Sequence, residues 1–172
     1  VTSREQALQM LAERARELPE GGWVLVLGGW IFSQFQDNSE LFTAAELDAV
    51  VPDKPVYVQE GYRRAFVNTA ALVAAGITSE TEVSGRGRVV LDGAGNVTGE
   101  LVGGAFALAS AAFPEISAET WNESIQAANQ DMHKMGLTTV YDVGGNSVTG
   151  ANYDAVERLL DANNLTMRVF YT

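Results

Sequence analysis

The sequence predicts an α/β protein in which antiparallel structure interrupts a strand–helix–strand pattern. The last third of the chain alternates a strand at 137–143, a helix at 153–160 and a strand at 165–171, joined by short links. This order is typical of a parallel βαβ unit. Earlier, two valine-containing segments at 88–91 and 97–102 flank Asp-Gly-Ala-Gly-Asn, which indicates a β-hairpin.

The first twenty residues predict an amphipathic helix. Ser3 and Gln6 have the spacing of a capping box, and the apolar residues that follow recur at helical spacing. Pro19 and the glycines after it end the helix. The short apolar run 23–27 then predicts a buried strand.

Two shorter helices and one strand are predicted next. Thr43 and Glu46 form a second capping box, for a helix that stops before Pro52. The segment 55–59 predicts a strand. Asn68 is placed to cap a helix that ends at a glycine, Gly76.

A long helix is predicted after Ser117, which can cap it. Gly136 is placed to end it. Its apolar residues are spaced four, three, four and three positions apart, and they are Trp121, Ile125, Ala128, Met132 and Met135. His133 lies away from this apolar face, so we expect it on the surface, in contact with solvent.

Composition excludes several classes of function. The net charge of −11 argues against a nucleic-acid partner, and no run approaches the ~18 apolar residues of a membrane span. With no signal peptide within the chain, we expect a soluble protein, and a cytoplasmic location is favoured without being fixed. A single histidine and no cysteine leave too few ligands for a zinc or iron site, so we expect no metal ligand and no catalytic residue here.

Seven residues stand out as candidate substrate-binding residues. Clusters of glycine do not have the spacing of a phosphate-binding loop, but three glycine-containing segments follow strands. Residues just past the carboxyl ends of strands line ligand sites in α/β architectures. The candidates are Trp30 and Gln34, then Glu60, Tyr62 and Arg63, then Tyr141 and Asp142. Asp142 is equally well explained as a residue that caps a loop.

Five segments in order give a family resemblance. They are the Gly-Gly-Trp after the first strand, TAAELDAVVPDKPVYVQ, FVNTAALVAAGIT, VVLDGAGNVTGELV and MGLTTVYDVGG. This order resembles amidohydrolase family 3, the branch that includes N-substituted formamide deformylases. The resemblance covers nearly all of the chain after about residue 20.

The resemblance implies part of a metal-dependent (β/α)8 hydrolase barrel. Residues 1–19 would be an N-terminal helix, 20–115 an α+β insertion containing the β-hairpin, and 116–172 a βαβ portion of the barrel. The family's His-x-His motif would precede Val1 and its later ligands would follow Thr172. A divalent metal, zinc or iron, is therefore expected in the full-length parent and not in this chain.

The implied reaction is hydrolysis of a C–N bond in an amide, formamide or cyclic amide. The chain would contribute walls of the substrate pocket and be inactive by itself. Many family members have Asp-Gly-His where this chain has Glu60-Gly61-Tyr62, and His-Asp where it has Tyr141-Asp142, which leaves the substrate open.

Two alternatives stay open from the sequence. The chain could be a self-contained module that binds a small ligand, or a truncated homologue without activity. Strands separated from a closed barrel leave unpaired edges, so we also expect the isolated chain to form a homo-oligomer.

Overall fold

A computed structural model describes residues 1–143, 150–162 and 164–171. It confirms a mixed α/β chain containing a sheet. The chain divides into two compact units, Val1–Pro114 and Glu115–Thr172.

The first unit holds a five-stranded sheet flanked by helices. Its helices are α1 (Arg4–Glu17), α2 (Ala44–Val50), α3 (Thr69–Ala74) and α4 (Ala105–Ser110), with a short 3-10 helix at Phe32–Gln34. Its strands are β1 (Val24–Val26), β2 (Val56–Glu60), β3 (Arg64–Val67), β4 (Arg88–Leu91) and β5 (Val97–Val102), and they lie in the order β1-β2-β3-β5-β4. The β1–β2 pair is parallel, and the other three pairs are antiparallel.

Both faces of this sheet are buried. Val58 and Phe66 face a core that includes residues of α1 and α2. Their neighbours Tyr57 and Val67 face a second core that includes residues of α3 and α4. Successive side chains of a strand point to opposite faces, so the helices on the two sides bury apolar residues of the central strands on both faces.

The predicted helix starts are confirmed by their hydrogen bonds. The side chain of Ser3 accepts from the backbone N–H of Gln6, and that of Thr43 accepts from Glu46. Asn68 caps α3, and Gly76 follows that helix with a φ of 64°. The predicted β-hairpin is confirmed as β4 and β5.

Besides the short 3-10 helix, two elements were not predicted from the sequence. Strand β3 has four residues and follows β2 after a three-residue turn, Gly61-Tyr62-Arg63. The strand predicted at 55–59 is therefore one arm of a second β-hairpin. Helix α4 begins after Gly104, and no side chain caps it. A helix of six residues without a capping side chain has no start signal of the usual kind.

The second unit contains a parallel pair of strands and two helices. They are α5 (Ala118–Lys134), β6 (Thr139–Asp142), α6 (Gly150–Asp161) and β7 (Arg168–Tyr171). Strands β6 and β7 pair from Thr139 with Arg168 to Asp142 with Tyr171, which confirms the predicted βαβ unit. The loop predicted at Gly144-Gly145 lies outside the described residues. No helix in the described ranges is long and apolar enough to cross a membrane.

The buried face of helix α5 is not the face that the sequence predicted. Of the predicted apolar residues, Trp121 is 39% exposed and Met135 69% exposed, whereas Asn129 is buried. His133 keeps partial contact with solvent, as predicted, and its ring also makes two hydrogen bonds. His133 Nε2 lies 2.8 Å from Thr166 Oγ1, and Nδ1 lies 3.1 Å from the carbonyl oxygen of Leu137. Since a carbonyl only accepts, Nδ1 donates this bond.

An aspartate ties the loop after β1 to the start of α1. The Asp37 carboxylate accepts from the backbone N–H of Arg4 at 2.8 Å, that of Glu5 at 3.1 Å and the Ser3 hydroxyl at 2.9 Å. These bonds, above all that from Arg4, hold the pKa of Asp37 well below its usual range. The loop that carries Gln34 is thereby fixed against α1.

Replacing Asp37 by asparagine should lower thermal stability in a pH-dependent way. A carboxyl group whose pKa is lowered by folding stabilises the protein above its unfolded pKa, and that stability is lost as pH falls through the folded pKa. The gap in Tm between wild type and Asp37→Asn should therefore be full at pH 7 and narrow below about pH 4. Asp53→Asn, at an exposed position, is the control. A gap that stays constant down to pH 2 would contradict this role.

Candidate functional site

The candidate site lies at the carboxyl ends of β1 and β2. These strands are parallel and in register from Val24 opposite Val56 to Val26 opposite Val58. Their carboxyl ends therefore meet at one edge of the sheet. The segment that follows β1 carries Trp30, and the turn that follows β2 carries Tyr62 and Arg63.

An open cavity of about 460 Å³ occupies this edge. Its walls include all five of the predicted site residues in the first unit, which are Trp30, Gln34, Glu60, Tyr62 and Arg63. Gly29, Ile31 and Gly61 complete the lining. The structure thus brings together residues that are about thirty positions apart in sequence.

Trp30 forms an aromatic wall of the cavity. Its ring lies 4.9 Å from that of Phe32, 5.8 Å from Phe35 and 5.7 Å from Phe42, measured between centroids. The Trp30 side chain is therefore held by rings on several sides. Among the residues that the structure describes, the buried Trp30 Nε1 has no hydrogen-bond acceptor.

The turn that carries Tyr62 and Arg63 is held by its own hydrogen bonds. The Tyr57 hydroxyl donates to Gln59 Oε1 at 2.8 Å, and Gln59 Nε2 donates to the Gly61 carbonyl at 2.6 Å. Burial raises the pKa of Tyr57, so the phenol keeps the proton that it donates. Gly61 has a φ of 54°, which a tight three-residue turn requires and glycine adopts readily.

Glu60 is a buried acid whose charge is already neutralised. It is 8% exposed, and its Oε1 accepts from the Phe32 backbone N–H at 3.3 Å. Its Oε2 lies 3.3 Å from Arg64 Nε, and Arg64 in turn binds Glu100 at 2.8 Å. Glu60 therefore links β2, β3 and the 3-10 helix, and it presents little free charge to the cavity.

Tyr62 and Arg63 reach outward from the rim. The Tyr62 side chain is 75% exposed, and Arg63 is also exposed. The Arg63 backbone is fixed on both sides, since its N–H donates to the Glu60 carbonyl and its own carbonyl accepts from Gly103. These two side chains can thus meet a ligand without any change in the core.

A second, smaller cavity of about 220 Å³ adjoins the first. Gly29, Trp30 and Gln34 line both cavities. Sequence reasoning missed its other walls, which are Val1, Ala7, Met10, Leu11, Val26, Gly28, Phe35, Phe42 and Val58. Five of these nine residues lie in α1, β1 or β2, and only the packing of those elements shows that they leave a gap.

The remaining two predicted site residues belong to the second unit. Tyr141 and Asp142 lie at the carboxyl end of β6, and Tyr141 is 60% exposed. The rings of Tyr153 and Tyr171 stack with centroids 4.2 Å apart, and the Tyr171 hydroxyl donates to Glu157. That hydrogen bond raises the pKa of Tyr171.

The described residues do not fit a metal ion. In residues 1–143, 150–162 and 164–171, no three His, Cys, Asp or Glu side chains come together so that they could hold one. Glu60 and Glu100 approach through Arg64, which already binds both carboxylates.

Comparison with known proteins decides the family. The amidohydrolase family model matches residues 1–172, the whole chain. The chain belongs to the amidohydrolase family. Members of this family are generally metal-dependent.

Two curated relatives of this amidohydrolase chain were found. "Putative amidohydrolase YtcJ" of Bacillus subtilis (strain 168) is 38% identical over 139 residues, which cover 80% of this chain and 26% of that protein. "Protein LONG AFTER FAR-RED 3" of Arabidopsis thaliana is 30% identical over 146 residues, which cover 84% of this chain and 24% of that protein. The chain thus spans about a quarter of the length of these relatives. No solved structure matches it.

Proposed function

We propose that this chain forms part of the substrate pocket of a metal-dependent amidohydrolase that cleaves a C–N bond in an amide, formamide or cyclic amide. The observation that carries the proposal is the cavity lined by Trp30, Glu60, Tyr62 and Arg63. An aromatic wall with a few polar groups that orient the ligand is usual in a small-molecule site. Membership of the amidohydrolase family supports the reaction class.

The chain's part in this function is binding and orientation. A ligand in the cavity would lie against the Trp30 ring, with Tyr62 over its open side. The metal ligands and the catalytic groups of the proposed enzyme would come from parts of the protein outside this chain. Members of the family are generally metal-dependent, and we propose zinc or iron in the whole enzyme.

We also propose the architecture of the whole enzyme from the same resemblance. Strands β6 and β7 would be consecutive strands of a (β/α)8 barrel, and residues 20–115 an insertion between barrel elements. Their parallel pairing around α6 supports this, since every strand of such a barrel pairs in parallel. Tyr141 and Asp142 would then be substrate-binding residues at the end of a barrel strand, because active sites of such barrels lie at the carboxyl ends of strands. The formamide deformylase-like branch is the subtype that we propose.

Truncation of Tyr62 tests the role of the cavity. In the full-length enzyme, Tyr62→Ala should raise KM for an aromatic amide such as formanilide about fivefold, because loss of one aromatic contact weakens binding by about 1 kcal/mol. The Tm should not change, since Tyr62 is 75% exposed. Val73→Ala is the matched control, because Val73 is equally exposed and lies on α3. If Tyr62→Ala and the wild type have equal KM, this turn does not contact the substrate.

Self-association of the isolated chain stays a prediction. Along β6 and β7, Tyr141 and Phe170 are both more than half exposed, and Val143, just past β6, is 73% exposed. Exposed apolar surface of this kind favours association. Sedimentation velocity at micromolar concentration should show a dimer, and a monomer would contradict the prediction.

A further inference from the structure

We propose that Arg63 determines substrate specificity by binding an anionic group, so that the substrate is an amide that also carries a carboxylate. This inference rests on the proposed function, because it names the substrate class of the same cavity. It starts from the charges that line the cavity. Among the described residues that line it, Glu60 and Arg63 are the two with charged side chains.

These two charges are available to a ligand to very different degrees. Glu60 is buried, and its two oxygens are held by Arg64 Nε and the Phe32 N–H. Arg63 is exposed at the rim, and within the described residues its guanidinium takes part in no ion pair and no hydrogen bond. The neighbouring Arg64, by contrast, is shared between two carboxylates. The free charge that the cavity offers is therefore positive.

The backbone of Arg63 is fixed, so its side chain starts from a defined point on the rim of the cavity. Its backbone is hydrogen-bonded to Glu60 and Gly103, and the preceding Gly61 is held by the side chain of Gln59. A guanidinium presents a planar fork that binds a carboxylate through two parallel hydrogen bonds. A ligand whose ring lies against Trp30 and Tyr62 would place an anionic substituent near this fork.

The acidic character of the whole chain does not prevent this binding. The net charge is −11. At physiological salt, interactions between exposed charges are screened beyond about 8 Å, so the guanidinium in direct contact dominates. Specificity of this kind should depend on Arg63 and on little else.

The test compares two isosteric probes, 4-formamidobenzoate and its neutral amide, 4-formamidobenzamide. In the full-length protein, calorimetric titration should show the benzoate binding about tenfold more tightly, a ratio equal to about 1.4 kcal/mol. Arg63→Met should reduce that ratio to about one, and Arg63→Lys should retain part of it. Arg16→Met is the control, since Arg16 is exposed on α1 and lines neither cavity.

An unchanged ratio in Arg63→Met would overturn the proposal, and so would the absence of binding by both probes. Hydrolysis is measured separately, as formate released. If Arg63 controls binding but neither probe is cleaved, the specificity proposal stands and the proposed reaction is the part that fails. If both probes are cleaved with equal KM, the reaction stands and the role of Arg63 is wrong.

Discussion

Asn68→Asp should destabilise the first unit by about 4 kcal/mol at pH 7. Asn68 is 0% exposed, and its side chain makes four hydrogen bonds. Its Oδ1 accepts from the backbone N–H groups of Val56 and Ala71, at 2.9 and 3.0 Å. Its Nδ2 donates to the carbonyls of Val51 and Lys54, at 3.0 and 2.8 Å. A carboxylate would turn an oxygen toward those two carbonyls and bury a charge.

The stability deficit of this variant, like that of Asp37→Asn, should shrink as pH falls, but it should begin to shrink above about pH 4, the unfolded pKa of an aspartate. Burial against two carbonyls raises the pKa of an aspartate at position 68 above its unfolded value. The deficit is then full above that folded pKa and shrinks as pH falls, because the protonated acid can donate to one carbonyl. Denaturant unfolding between pH 7 and pH 4 measures it. Asn164→Asp, at an exposed position, is the control, and an equal loss in both variants would contradict the prediction.

Gly99→Ala should cost about 4 kcal/mol, through a close approach of backbone to backbone. Gly99 has a φ of 93°, and a Cβ there would lie 2.5 Å from the Val67 carbonyl oxygen and 2.8 Å from the Ala44 nitrogen. Both are backbone atoms of packed elements, β3 and the start of α2, so neither can move easily.

Gly95→Ala is a matched control for this effect. Gly95 has a similar φ of 87°, but a Cβ there meets nothing within 4 Å. Its replacement should cost about 1 kcal/mol, the strain of a left-handed residue alone. Chemical denaturation of both variants separates the two causes. If both variants lose the same stability, the positive φ explains the glycine at position 99, and the close approach of β5 to α2 does not.

The local part of the fold could be predicted from sequence, since it depends on neighbouring residues. Ser3 and Asn68 were recognised as caps because a capping bond spans three residues. The meeting of Trp30 with Glu60 was also predictable, since both follow strands and strand ends gather in α/β sheets.

Features that depend on distant segments were not predictable. The second role of Asn68, in binding the carbonyls of Val51 and Lys54, requires knowledge of where that loop lies. The buried face of α5 carries Asn129 rather than Trp121. The spacing of apolar residues along the helix therefore did not identify the face that packs against other elements. The cavity beside α1 is a gap left by the packing of several elements, and no pattern of residues in the sequence predicts it.

The most direct test of the central claim is a crystal structure of the full-length protein with 4-formamidobenzoate bound. We predict the aromatic ring of the ligand against Trp30 and Tyr62, and its carboxylate within about 3 Å of the Arg63 guanidinium, the usual distance of a charge-assisted hydrogen bond. The formamide group should point toward a metal ion held by residues outside this chain. A ligand bound elsewhere, or a cavity at the ends of β1 and β2 filled by another part of the protein, would contradict the account.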